Sequence, residues 1–282
     1  MPNKNFVIPY KKSRLSKFLT GITWVAAVIT MVVLAFLVLF ILAQGVGNFS
    51  ADLFSLEYTS DNGSLMPAVF NTIFMVILAL VVAAPLGIFA AIFLVEYASS
   101  SNKIIGVIRL TAETLSGIPS IVYGLFGMLF FCSALGWGFS MLSGAFTMAI
   151  MVLPLIMRTA EEALMSVPDS YREASFGIGA GKLRTIFRIV LPSAVPGILS
   201  GVILAIGRVV GETAALMFTA GTVAEYAGPM DSGRTLALHM YVLSNEGLHM
   251  DKAYATAVIL MVLVLVINGL SGLVAKKLTK GK

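Results

Sequence analysis

Three arginines sit in or beside apolar stretches, and each is followed four residues later by a glutamate: Arg109 and Glu113, Arg158 and Glu162, Arg208 and Glu212. On an α-helix, positions i and i+4 share a face, so each spacing predicts a guanidinium beside a carboxylate. Arg preceding Glu is the weaker orientation for local helix support, which makes that an insufficient reason for the pairs. A charge at the centre of a membrane span costs roughly 2.5–3.5 kcal/mol on insertion scales, and such charges face a bundle interior or a wet pathway. Arg208 and Glu212 are the deepest pair, within Gly207-Arg208-Val209-Val210-Gly211-Glu212-Thr213. The glycines there allow close helix approach and local unwinding. A guanidinium is a planar fork of donors suited to a tetrahedral oxyanion. The candidate anion-path residues are therefore Arg208, Glu212, Arg158, Arg109 and Glu113. The bland alternatives are self-neutralising pairs and, for Arg109, an interfacial anchor.

A second constellation lies between Val167 and Pro192. Pro168 and Asp169 punctuate the chain, and Ser170-Tyr171-Arg172-Glu173 fits a capping box, with Ser170 as N-cap and Glu173 at N3. A short helix is expected to follow and to end at Gly177, Gly179 or Gly181. Ala174 and Ser175 are small enough to let that helix approach a partner surface closely. The basic run Lys182, Arg184 and Arg188 could meet a negative patch or an anionic leaflet.

Other chemistries are excluded. Gly177-Ile178-Gly179-Ala180-Gly181-Lys182 looks like a phosphate-cradling loop. That motif needs four residues between its first glycine and its Gly-Lys, and a Ser or Thr after the lysine. Phe176 and Leu183 occupy those positions, so no nucleotide site is expected and no cofactor. The lone Cys132 reads as apolar filler, and His239 and His249 form no cluster with metal-ligand spacing. No catalytic constellation is found, so an enzyme is not expected.

The elements that must hold these residues are membrane helices. Of 282 residues, 58% are hydrophobic and only 12% charged, with a mean hydropathy of +0.95. A soluble domain carries roughly 25% charged residues. Six segments are long and apolar enough to span a bilayer, at 18–42, 68–95, 117–135, 139–157, 194–220 and 253–275. The third and fourth are separated only by a turn near Gly136–Gly138. Pro85 and Pro119 lie in apolar stretches, where a proline kinks a helix. The net charge of +5 implies no nucleic-acid partner, because the basic residues follow topology. They fall at 4–17, 103–109, 158–188 and 276–282, whereas the alternate segments hold only Arg234 and Lys252. The positive-inside rule then places both termini in the cytoplasm. The expected fold class is an all-α polytopic membrane protein of six transmembrane helices. Residues 1–67 comprise the N-terminus, first helix and outer loop. Residues 68–276 form a five-helix core with a cytoplasmic loop at 159–192, and 277–282 a basic tail. The outer segment 221–252 has room for a short re-entrant or surface helix.

The cytoplasmic loop resembles that of ABC-importer permeases, whose pattern is E-A-A, three residues, G, nine residues, I, one residue, L-P. Glu173, Ala174, Gly179, Ile189, Leu191 and Pro192 match at those offsets, with Ser175 in place of the second Ala. Glu113-Thr114-Leu115-Ser116-Gly117-Ile118-Pro119-Ser120-Ile121-Val122-Tyr123-Gly124, Leu153-Pro154-Leu155-Ile156-Met157-Arg158-Thr159 and Gly211-Glu212-Thr213-Ala214 look like signatures of phosphate permeases. The chain is thus similar to the PstA-type permeases of phosphate importers. That resemblance implies a type I (MetI-like) permease fold in the cell inner membrane, surrounded by lipid. It implies transport of inorganic phosphate by alternating access, with the short cytoplasmic helix docked in a groove of an ATPase. It implies roles for Arg158, Arg208 and Glu212 in the phosphate path, and ATPase contact by Glu173, Ala174 and Gly179. It further implies a PstC-type permease paralogue, an ATPase dimer that binds the ATP, and an extracytoplasmic phosphate-binding protein. A permease for another oxyanion (sulfate, molybdate or phosphonate) and a secondary anion transporter are the alternatives.

Overall fold

The computed structural model describes residues 14–98, 103–247 and 249–280. Lys4, Lys11, Lys12 and Lys282 lie outside them. The described residues build a helical membrane bundle with no strand. Five helices are long and apolar enough to cross a bilayer, or six if one bent pair counts as a single span.

Helix α1 (Arg14–Val46) is apolar all round and exposed along nearly its whole length. Thr20, Thr23 and Thr30 donate their hydroxyls to carbonyls one turn back, which satisfies them in an apolar setting. The helix touches the rest near its C-terminal end. There a Cβ on Gly45 would overlap α11 (Met250–Lys280) at Val258 and Tyr254, and Phe40 meets the Tyr254 ring edge-on. The tail expected at 277–282 begins inside α11.

The core is α2 (Met66–Ile92, extended by a π-helical turn Phe93–Tyr97), α5 (Met141–Met165) and α8 (Leu191–Val210). Helix α8 is the end of one rod starting with α7 (Lys182–Thr185). Small residues bring these helices together. A Cβ on Gly87 would press on Ile156 of α5, on Gly197 it would strike Ala163, and on Gly201 it would overlap the Thr159 hydroxyl. Close backbone approach is the usual basis of membrane helix packing, because lipid removes the hydrophobic drive between helices. Met75, Ala79, Met148, Val152, Ile156 and Val209 fill the resulting interior.

The third span is not the straight helix expected at 117–135. Helix α3 (Lys103–Ser116) and the pair α4 (Ser120–Gly127) with its π-helical extension Met128–Ala134 meet at 100°. Pro119 is therefore no helix-interior kink: it is the N-cap of α4, at the corner. Gly136 and Gly138, with φ of +69° and +62°, form the turn into α5. The fifth span also departs from the single helix expected at 194–220. Helix α8 stops at Val210, and Gly211–Thr213 is non-helical. A short helix α9 (Ala214–Met217) then resumes against α4, where Gly124 meets Ala215 backbone.

The segment after α9 contains the short helix expected there, α10 (Leu236–Glu246). Its loop is tied to the start of α2: Asn71 Nδ2 donates to the carbonyls of Glu225 (2.8 Å) and Arg234 (3.3 Å), and its Oδ1 accepts from Ala227 N (3.1 Å). The bundle thus has an α10 end and, opposite it, an end carrying α6 (Asp169–Gly177).

Candidate functional site

The charged residues fall at three levels. Nearest the α6 end, α3 lies against α5, and their charges pair across helices rather than along them. Arg109 Nη2 is 2.6 Å from Glu161 Oε1, an off-axis ion contact to a carboxylate only 8% exposed. Arg158 stands 3.9 Å from both Glu113 and Glu162, with its side chain 52% exposed. The i,i+4 expectation thus fails for Arg109, whose partner is on another helix. It holds only loosely for Arg158, which is beyond hydrogen-bonding distance. Glu161, absent from the sequence reading, is the anchoring carboxylate. Its spacing to Arg109 carries no local signal. These side chains line a cavity of about 280 Å³.

Arg208 is deeper. The antiparallel contacts of Gly197 with Ala163 and Gly201 with Thr159 set the register of α8 on α5. They place Arg208 about level with Val152, near the middle of α5. It is partly buried and, among the described residues, has no ion pair or hydrogen-bond partner. Its charge lies within electrostatic reach of Tyr123, whose hydroxyl donates to Leu115 O at 2.7 Å. Glu212 does not share a helix face with Arg208, because the helix ends between them. Its Oε1 instead accepts from Ala215 N at 3.0 Å, closing the first turn of α9. An apolar cavity of about 610 Å³ adjoins this break, lined by Ile121, Thr213, Ala214, Met217 and Tyr254 among others. It carries no charged side chain and offers no seat for an anion.

At the α6 end the predicted short helix exists, but begins two residues early. Pro168 is its N-cap and Asp169 its first residue, so the Ser170–Glu173 capping box does not form. Gly179 ends it in the left-handed conformation (φ +82°), with Ala180 N bonding back to Ser175 O at 3.1 Å. Glu173, Ala174 and Gly179 are exposed. Ser175, expected to face a partner, is buried, its hydroxyl 2.8 Å from that of Thr185. Ile189, Leu191 and Pro192 are half-buried in the rod behind. Apolar side chains project instead: Ile178 (84% exposed), Leu183, Tyr171 and Phe176. Arg172 fastens the helix to the bundle. Its Nη2 and Nε reach Glu96 Oε1 at 2.7 and 3.1 Å, and its Nη1 and Nη2 donate to Val167 O (2.9 Å) and Leu164 O (3.1 Å).

The model of the family described as "binding-protein-dependent transport system inner membrane component" matches residues 83–280. A probable ABC transporter permease protein of Bacillus subtilis is 33% identical, over 93% of this chain and 97% of that one. A phosphate transport system permease protein PstA of Haemophilus influenzae is 31% identical over 77% of each. Among solved structures, a chain of a bacterial alginate ABC transporter, in complex with its alginate-pentasaccharide-bound periplasmic protein, superposes with a TM-score of 0.67. That match has 17% identity and covers 95% of this chain and 99% of that one.

Proposed function

Because this chain belongs to the family of binding-protein-dependent transport system inner membrane components, we propose that it is the permease subunit of an ATP-driven importer of inorganic phosphate. The family and the apolar helices make it a multi-pass inner-membrane protein of an ABC transporter, with the type I, MetI-like fold. Transport of phosphate, the individual partners and the orientation are our reading.

The observation that carries the substrate class is Arg208. A guanidinium without a protein partner, held at mid-bundle beside a broken helix, is costly unless an anion passes or water reaches it. Glu212 stands at the same break as a capping carboxylate. A protonated oxygen of hydrogen phosphate can donate to it, which sulfate cannot do. Arg158 is held loosely enough to serve as a second station. Arg109 and Glu113 shape that station by tying α3 to α5.

In this reading the α6 end is cytoplasmic, as are both termini. Glu173, Ala174 and Gly179, with Ile178 and Phe176 beside them, form the knob that enters a groove of an ATPase dimer. Ser175, Ile189, Leu191 and Pro192 support it from behind. ATP hydrolysis then belongs to the partner chains, and this chain is non-catalytic. A PstC-type paralogue completes the pore, and a phosphate-binding protein delivers the anion at the α10 end. Motion enters through α6 and passes by Arg172–Glu96 into α2. Near the other end of that helix, Asn71 holds the opposite loop. Alternating access follows as the ends move in opposite senses.

Phosphate uptake by proteoliposomes of the whole complex, comparing intact protein with Arg208→Gln, tests the reading. Unchanged uptake in the variant overturns it, and equal uptake of sulfate with its own binding protein redirects the substrate assignment.

A further inference from the structure

The α10 end holds a second unpaired guanidinium, outside the path described above. Arg234 is only 3% exposed, yet its Nε and Nη2 have no hydrogen-bond partner, and among the described residues it forms no ion pair. Two neighbours share the condition. Thr235 is fully buried with an unpartnered hydroxyl, and His239 is fully buried with no aligned hydrogen bond at either ring nitrogen. All three belong to the start of α10, where Thr235 is the N-cap, its side chain making no capping bond. Tyr58 covers one side of the group, its ring centroid 4.6 Å from the Arg234 guanidinium carbon and its ring edge-on to His239 at 6.0 Å between ring centroids.

A buried cation must be neutralised. Removing an ammonium-sized charge from water carries an effective penalty of several kcal/mol. A cation–π contact returns only a fraction of it, so the Tyr58 ring is insufficient. The nearby carboxylates, Glu57 and Glu225, are exposed and line a separate cavity of about 420 Å³ that shares Tyr58 as a wall. A helix N-terminus adds donors and a positive potential of its own. We propose that Arg234 and Thr235, at the N-terminus of α10 and beside the neutral His239 ring, seat a small inorganic anion.

The site favours a small ion over a carboxylate from another subunit, because at 3% exposure Arg234 cannot be reached without opening the loop. Burial, and then the Arg234 charge, hold His239 far below its usual value, at about 3, against a hydrogen bond to the Gly63 backbone that raises it, so the ring is neutral and adds no second positive charge to the seat. The anion would act as a rivet. It joins the loop of Tyr58 to the start of α10, which Asn71 and Thr72 already tie to α2 through Arg234 O and Leu236 N. Glu57 and Glu225 at the outer wall are solvated and screened, so they slow entry without abolishing binding.

The purified complex is unfolded thermally in gluconate, chloride, bromide and phosphate at constant ionic strength. A saturable rise in Tm over gluconate is expected. A rise with halides alone identifies a halide seat, and one with phosphate an oxyanion seat. Thr235→Val, an isosteric change at a cap that makes no capping bond, should weaken the apparent affinity about tenfold by removing one charge-assisted hydrogen bond. Arg234→Met should abolish the response, whereas Arg208→Gln should retain it, separating this seat from the transport path. If Arg234→Met fails to fold, Thr235→Val and an anomalous bromide peak beside Arg234 decide. No anion-dependent shift, or density at Arg234 that is water or a carboxylate only, overturns the proposal.

Discussion

Arg172 and Glu96 are seventy-six positions apart, and Nη2 of one lies 2.7 Å from Oε1 of the other, with side chains 15% and 8% exposed. This is the closest charged link between α6 and the membrane bundle, and it lands on the π-helical end of α2. Removing one partner of a buried pair leaves the other uncompensated, at a typical cost of about 3–5 kcal/mol. Arg172→Met should therefore lower Tm clearly and, at temperatures where the protein is folded, reduce uptake per ATP hydrolysed. The ratio of transport to hydrolysis in proteoliposomes checks it, and an unchanged ratio argues against Arg172–Glu96 as a transmission contact.

Arg208→Gln should cut phosphate uptake by at least about tenfold, the worth of one charge-assisted contact. Arg208→Lys should recover only part, since an ammonium lacks the planar fork. Initial uptake rates at saturating binding protein give the comparison. Because the guanidinium has no partner to orphan, both variants should keep the wild-type Tm.

Ile178→Asp addresses docking without disturbing the fold. The side chain is 84% exposed, and surface substitutions usually stay within about 0.5 kcal/mol. The ATPase should co-purify poorly with this variant while its Tm is unaltered. Full retention of the ATPase would remove Ile178 from the docking face.

Gly201 and Thr159 form a close packing contact. A methyl at Gly201 would overlap the Thr159 hydroxyl, which itself bonds Leu155 O at 2.9 Å. Gly201→Ala should cost about 1–3 kcal/mol by overpacking. Adding Thr159→Ala should restore most of it, giving a coupling energy in a double-mutant cycle. Simple additivity of the two Tm changes would place the strain elsewhere.

His239 gives a pH dependence with a definite sign. Its folded pKa is depressed from 6.5 to about 3. The unfolded state therefore binds the proton first as pH falls, and stability drops below about pH 6.5 until the folded value is reached. The loss attributable to this group should be about 2 kcal/mol by pH 5. His239→Gln should flatten the Tm profile between pH 6.5 and 5, and a slope identical to wild type would refute it.

Most of the architecture was legible because lipid imposes it. Long apolar runs can only be helices, and the Glu173–Pro192 spacing marked the short helix between two of them. The misreadings have local causes. Apolar composition continues through Gly211–Thr213 although the backbone breaks there, so helical spacing puts Glu212 on the face of Arg208. The capping box overlooked Pro168, which stands as N-cap in its place. Glu161 and Glu96 were missed because their partners lie on other helices, and no periodicity records that. Arg234 read as an ordinary loop charge, since burial of a loop arginine depends on Tyr58, Asn71 and α10 converging from distant parts of the chain.

Helix α1 bears on biogenesis. It precedes the other described helices during synthesis, and its shape owes nothing to them, since its lipid-facing surface is nearly complete. It can enter the bilayer and wait there while the later spans emerge and fold around α5. The notch at Gly45 then registers it against α11, the last of the described helices. A bulky side chain in that notch would leave a chain that inserts normally yet never closes α1 onto α11.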